Sequence, residues 1–224
     1  MAKLRELVEE LRLVFRGKDK FLDAVIPPLV FAIVHALTDF PVAFWISIGS
    51  SFLIIFIRLI RRQPFRYALG GLAAAFLAGG LAWLLDYAGA FYLPALVNDG
   101  ATMIILLLSI LVKRPAVAFT SYITRRWPLE WYWHPRVRPA YSEVTAIWVV
   151  FFSVKLAIRY YLYQRNDLSA LAIFNVAGGW PALIILLVVS YLYGLKRLAA
   201  LQGPSVDEFN SKTPPPWQGQ RRGF

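Results

Sequence analysis

The sequence predicts an all-α fold: a polytopic integral membrane helix bundle with six transmembrane helices, both termini cytoplasmic, and an N-terminal amphipathic interfacial helix. Three observations predict it. The 224 residues are 58% hydrophobic and 16% aromatic with a mean hydropathy of +0.55, far from the mixture of a soluble domain. Six apolar runs are each near the ~20 residues that a helix needs to cross a bilayer core. Of the 24 Lys and Arg, 21 fall on one side of the resulting topology.

From the N-terminus, residues 1–20 are charge-rich and precede any long apolar run, so no secretory signal is read and the first span is expected to be retained. Leu4, Leu7, Val8, Leu11, Val14 and Phe15 share one helical face, opposite Lys3, Arg5, Glu6, Glu9, Glu10 and Arg12. Such a helix either lies on the inner membrane surface or packs on the protein's own cytoplasmic loops.

Residues 21–200 hold the six expected spans: Phe21 to Leu37, Val42 to Ile60, Tyr67 to Leu85, Phe91 to Val112, Tyr141 to Tyr163 and Leu171 to Leu195. Pro27 and Pro28 blur the start of the first. Orientation follows from the connections. Basic residues crowd the segment before the first span, the turn at Arg58, Arg61, Arg62 and Arg66, the connection 113–140 and the segment after the last span. The opposite connections carry only Arg165. Both termini are therefore expected inside, and the net charge of +11 records topology rather than an affinity for nucleic acid.

The long connection 113–140 mixes Trp127, Trp131, Tyr132 and Trp133 with Arg125, Arg126, Arg136 and Arg138, a composition suited to the headgroup layer. Within it Ala116 to Ile123 is too short to span and is expected to dip partway into the membrane. Residues 201–224, with Pro214, Pro215 and Pro216, read as a disordered Pro-rich tail. A short echo, Pro27-Pro28-Leu29, Pro94-Ala95-Leu96 and Pro181-Ala182-Leu183, hints at duplicated halves of the kind found in transporters.

Polar groups inside apolar spans are costly, which makes them functional candidates. Asp99 and Lys155 each lie eight residues from the outer end of their span, a shared depth of ~12 Å at helical rise. Asn98, His35, Asn175 and Arg159 add to an outer-half polar cluster. An Asp99–Lys155 ion pair either fixes the packing of two spans or floors a polar cavity open to the outside. Gly178, Gly179 and Pro181 form a candidate helix break in the sixth span.

The sequence has no cysteine, so disulfides and thiolate chemistry are excluded. It contains no His-Glu-x-x-His, no Gly-x-Ser-x-Gly and no P-loop, and no catalytic residue, metal site or cofactor is predicted.

Phe21-Leu22, Pro27-Pro28-Leu29-Val30-Phe31, Arg58-x2-Arg61-Arg62-Gln63-Pro64, Phe91-Tyr92-Leu93-Pro94-Ala95-Leu96-Val97-Asn98 and Lys113-Arg114-Pro115 resemble the bacterial membrane family of domain of unknown function 3159. More remotely the chain is similar to the intracellular septation protein A (YciB) inner-membrane family, with its first-span proline, basic turn and a tryptophan such as Trp148 in a late span. The resemblance covers Phe21 to Lys196 and implies a bacterial cytoplasmic-membrane location, with envelope upkeep or cell division as the role in the remoter family. It implies no catalytic residues.

Three functional classes follow: a non-enzymatic envelope protein or accessory subunit of a membrane complex, a small-solute transporter or channel-like protein, and a pigment-binding or intramembrane enzyme subunit. Expected partners are membrane lipids and either a larger membrane complex or a homo-oligomer, with no nucleic acid.

Overall fold

The computed structural model describes Ile26, Val30, Phe31, Ile33, Val34 and residues 37–61, 66–220 and 223–224. Among the described residues every regular element is helical: α1 (Phe40–Ile60), α2 (Arg66–Leu84), a 3-10 turn (Ala88–Tyr92), α3 (Leu93–Leu111), α4 (Ala116–Arg125), α5 (Leu129–Tyr132), α6 (Arg138–Gln164), α7 (Leu168–Ala177), α8 (Trp180–Leu201) and α9 (Val206–Asn210). The chain divides into two units. One takes the described residues up to Leu96 together with Arg159–Pro181, and the other takes Val97–Ile158 with Ala182–Phe224.

In the first unit α1 begins behind Asp39 with Pro41 in its first turn, where the missing N–H has no helical acceptor to lose. Several of its small residues face inward, with Ile48 and Arg58, and many of its large ones face outward. Ala43, Ser47 and Ser51 are buried, whereas Phe52, Leu53, Phe56, Leu59 and Ile60 are exposed. That is the reverse of a water-soluble helix and suits an apolar surrounding, in which small residues let helices approach. The serines add no polar load, because Ser51 Oγ donates to the Ser47 carbonyl at 3.2 Å and Ser50 Oγ donates to the same oxygen at 2.6 Å. Gly79 of α2 lies directly against the Phe44 ring, so a larger residue there has no room. Phe31, Ala43, Tyr92, Leu171 and Ala172 form this unit's core, with Phe91 stacked on Phe31 at 4.3 Å.

The second unit is built over aromatic rings. Trp131, Tyr132 and Tyr141 are fully buried and pack with Val117, Ala118, Val137, Ala140, Val144 and Leu198. Two of these rings have hydrogen-bonded polar ends. Trp131 Nε1 donates to the Pro204 carbonyl at 2.9 Å, and Ser121 Oγ and the Tyr132 hydroxyl share a hydrogen bond of 3.1 Å. Thr145 Oγ1 links α4 to α6 by accepting the Val117 N–H at 3.4 Å while donating to the Tyr141 carbonyl at 2.7 Å.

Of the C-terminal segment, residues 201–220 and 223–224 are described. Composition gives this segment no core of its own, but it borrows one: the Phe224 ring stacks on Tyr141 at 4.4 Å and covers Gly194, and Gly203 lies against the Arg136 backbone. Ser205 caps α9 in a capping box with Glu208. The Glu208 carboxylate also accepts the N–H groups of Gln218 at 2.7 Å and Gly219 at 3.3 Å, closing the segment on itself.

Four helices among the described residues are long and apolar enough to cross a membrane: Pro41–Ile60, Gly89–Leu111, Arg138–Gln164 and Leu168–Leu201. They coincide with the second, fourth, fifth and sixth expected spans. The third expected span falls on α2, a helix of 19 residues. Most of the first, and the whole of the N-terminal amphipathic segment, lie outside the described residues. The sixth differs from a single continuous helix, since 168–201 is divided into α7 and α8.

Candidate functional site

Two groups of the candidate polar residues each make their contacts within one unit. In the second unit α3 carries Asp99 and α6 carries Lys155, and Lys155 Nζ stands 3.2 Å from Asp99 Oδ1. The carboxylate side chain is 1% exposed and the ammonium side chain 12%. A carboxylate so enclosed is tolerable only with a cation beside it. The same ammonium lies 5.5 Å from the Phe152 ring, one helical turn earlier on its own helix, where the ring face adds favourable charge contact. Asn98, the neighbour of Asp99, is exposed and takes no part in the pair.

In the first unit Arg159 is 2% exposed. Its Nη1 donates to the Ala95 carbonyl and its Nη2 to Asn175 Oδ1, both at 3.0 Å, and its guanidinium lies 5.9 Å from the Phe174 ring centre. A planar guanidinium can bond in two directions and stack in a third, which ties the first turn of α3 and the last turns of α7 to α6. His35 lies outside the described residues.

The chain breaks between α7 and α8 at Gly178 and Gly179 for a steric reason. A Cβ on Gly178 would sit 2.8 Å from the Phe174 carbonyl oxygen, and one on Gly179 would sit 3.0 Å from that of Asn175. Gly178 caps α7 by donating to the Phe174 carbonyl at 2.7 Å. Pro181 is the second residue of α8, where its missing N–H costs no helical bond.

One cluster escaped sequence reasoning. Arg197 of α8 grips Glu143 of α6 through Nε at 2.7 and 3.0 Å and Nη2 at 2.8 Å, and the Tyr193 hydroxyl donates to the same carboxylate at 2.8 Å. The signal was present. Glu143 opens the fifth expected span and Arg197 follows the sixth, at one depth, which is the reasoning that pairs Asp99 with Lys155. Trp148 Nε1 makes a second α6–α8 link to Ser190 Oγ at 2.8 Å.

No group of His, Asp and Glu among the described residues is arranged to hold a metal ion. Chemically, what the polar groups do is hold helices: each pair joins side chains from different helices, with Asp99 and Arg159 enclosed and the Glu143–Arg197 pair partly exposed.

These features define an all-helical protein, with four helices apolar and long enough to span a membrane and charges paired between helices. The chain belongs to the family described as protein of unknown function (DUF3159), which matches residues 15–200. No curated protein and no solved structure matches it.

Proposed function

We propose that this is a six-span, non-enzymatic protein of a bacterial cytoplasmic membrane, an envelope protein or accessory subunit of a larger membrane complex, with both termini inside. The observation that supports this best is how the polar and charged groups on the helices are used. Asp99 with Lys155, Arg159 with Asn175 and Glu143 with Arg197 each spend their bonding capacity on a neighbouring helix. Groups committed in this way act as fasteners, and fastened helices with broad apolar faces suit a scaffold that meets lipid and other membrane proteins. The family resemblance to a septation protein points toward envelope upkeep.

A second reading, a small-solute transporter, is favoured by the interruption of 168–201 at Gly178 and Gly179. Copurification of the tagged full chain from its native membrane separates the two. The subunit reading expects partners in fixed stoichiometry. Isolation as a monomer or homodimer, with solvent-reactive probes reaching Asp99, would overturn it in favour of transport.

A further inference from the structure

Residues 113–126 carry Lys113, Arg114, Arg125 and Arg126 and no acidic residue. Within them α4 has two unlike sides. Val117, Ala118 and Ser121 face the aromatic core, and Phe119, Tyr122 and Ile123 are exposed at 41%, 39% and 73%. At about 100° per residue these three fall in one sector roughly opposite the buried side. An apolar stripe backed by a packed core and flanked by cations is the pattern of a helix set into a membrane interface.

The N-terminal end of that stripe is a built feature. Lys113 adopts a left-handed backbone conformation, with φ of 58°, which turns the chain out of α3, and the Ala116 N–H donates to Ser109 Oγ at 3.0 Å to fold α4 back against the last turns of α3. Lys113 and Arg114 are exposed. The Arg114 guanidinium lies 4.5 Å above the Trp133 ring, and Trp133 packs on Phe119 at 5.3 Å between ring centres. Stacking uses the flat face of a guanidinium and leaves its N–H edge directed outward in the plane, the geometry that receives a phosphate.

We infer that Lys113, Arg114 and Trp133, with the apolar stripe Phe119, Tyr122 and Ile123, form a binding site for an anionic phospholipid. The headgroup phosphate sits between the ammonium and the guanidinium, and the acyl chains run along the stripe. Charge complementarity selects this occupant, because a zwitterionic headgroup brings its own cation to a segment that is already basic.

The inference rests on the membrane reading, and its test reads lipid rather than protein partners. The full chain is reconstituted in vesicles of equal phosphatidylcholine and phosphatidylglycerol, extracted gently, and its retained lipids are counted by native mass spectrometry. Enrichment of phosphatidylglycerol is expected. K113Q with R114Q should reduce that enrichment roughly thirtyfold, because two basic groups near an anionic surface contribute about 1 kcal/mol each. K212Q, which removes a charge elsewhere, should leave it unchanged. Equal retention of the two lipids by the wild type, no effect of the double substitution, or an equal effect of K212Q would each overturn the site. Retention of phosphatidylcholine alone would still leave the membrane reading standing.

Discussion

Asp99 sits where a carboxylate has almost no contact with solvent, and Lys155 supplies its counter-charge at 3.2 Å. Removing one member therefore costs more than the bond itself, since it strands the other. Asp99→Leu or Lys155→Met alone should destabilise the protein by about 3 kcal/mol, measured by denaturation in detergent. The combined substitution, or the exchange Asp99→Lys with Lys155→Asp, should recover most of that loss, and purely additive losses would count against the clasp. Glycines make a second contrast at this scale. Gly178→Ala drives a Cβ toward a backbone carbonyl 2.8 Å away and should cost about 1–2 kcal/mol. Gly80→Ala in α2 meets nothing within 4 Å and should stabilise by roughly 0.5–1 kcal/mol, as alanine does in a helix. Thermal shifts of the two variants in opposite directions are the expected result.

At the scale of elements, the C-terminal segment is held by polar contacts whose pH dependence can be read. Hydrogen bonds from the main-chain N–H groups of Gln218 and Ser205 lower the Glu208 carboxyl from its ordinary 4.5 to about 2. A carboxyl depressed on folding contributes stability that is fully present above its unfolded value and is lost as pH falls through the folded one. The Gln218 and Ser205 amides should thus keep their bonded chemical shifts at pH 4 and lose them only as pH approaches about 2, followed by NMR titration; loss near pH 4.5 would contradict the closure at Glu208. The aromatic connection and this segment also show where sequence reasoning reaches its limit. Composition suited Trp127, Trp131, Tyr132 and Trp133 to the headgroup layer, whereas Trp131 and Tyr132 are buried in the aromatic core of the second unit. That Phe224 would stack on Tyr141, or that the Pro204 carbonyl would receive the Trp131 indole, was not legible, because both contacts join residues some 70 or more positions apart and leave no periodic trace.

Across the whole molecule, what was legible is what local chemistry dictates. Apolar length located α1, α3 and α6 within a few residues of their observed ends, and helical rise put Asp99 level with Lys155. The Arg159 contact with Asn175 was not legible as a pair, because it depends on the side-chain directions of two helices and on the early end of α7. Asn98 shows the converse: adjacency to Asp99 in sequence turns it to a different face of α3, where it is exposed.

The central claim is that six spans place the basic connections on one side of the membrane. The absence of cysteine in the sequence makes it directly testable by introducing one cysteine at a time. Lys113→Cys and Lys212→Cys should react with an impermeant maleimide only after inverted vesicles expose the inner face or the membrane is opened. Asp86→Cys and Asp167→Cys should react in intact cells. Labelling of positions 113 and 212 from opposite sides, or of 86 and 113 from the same side, would contradict the account.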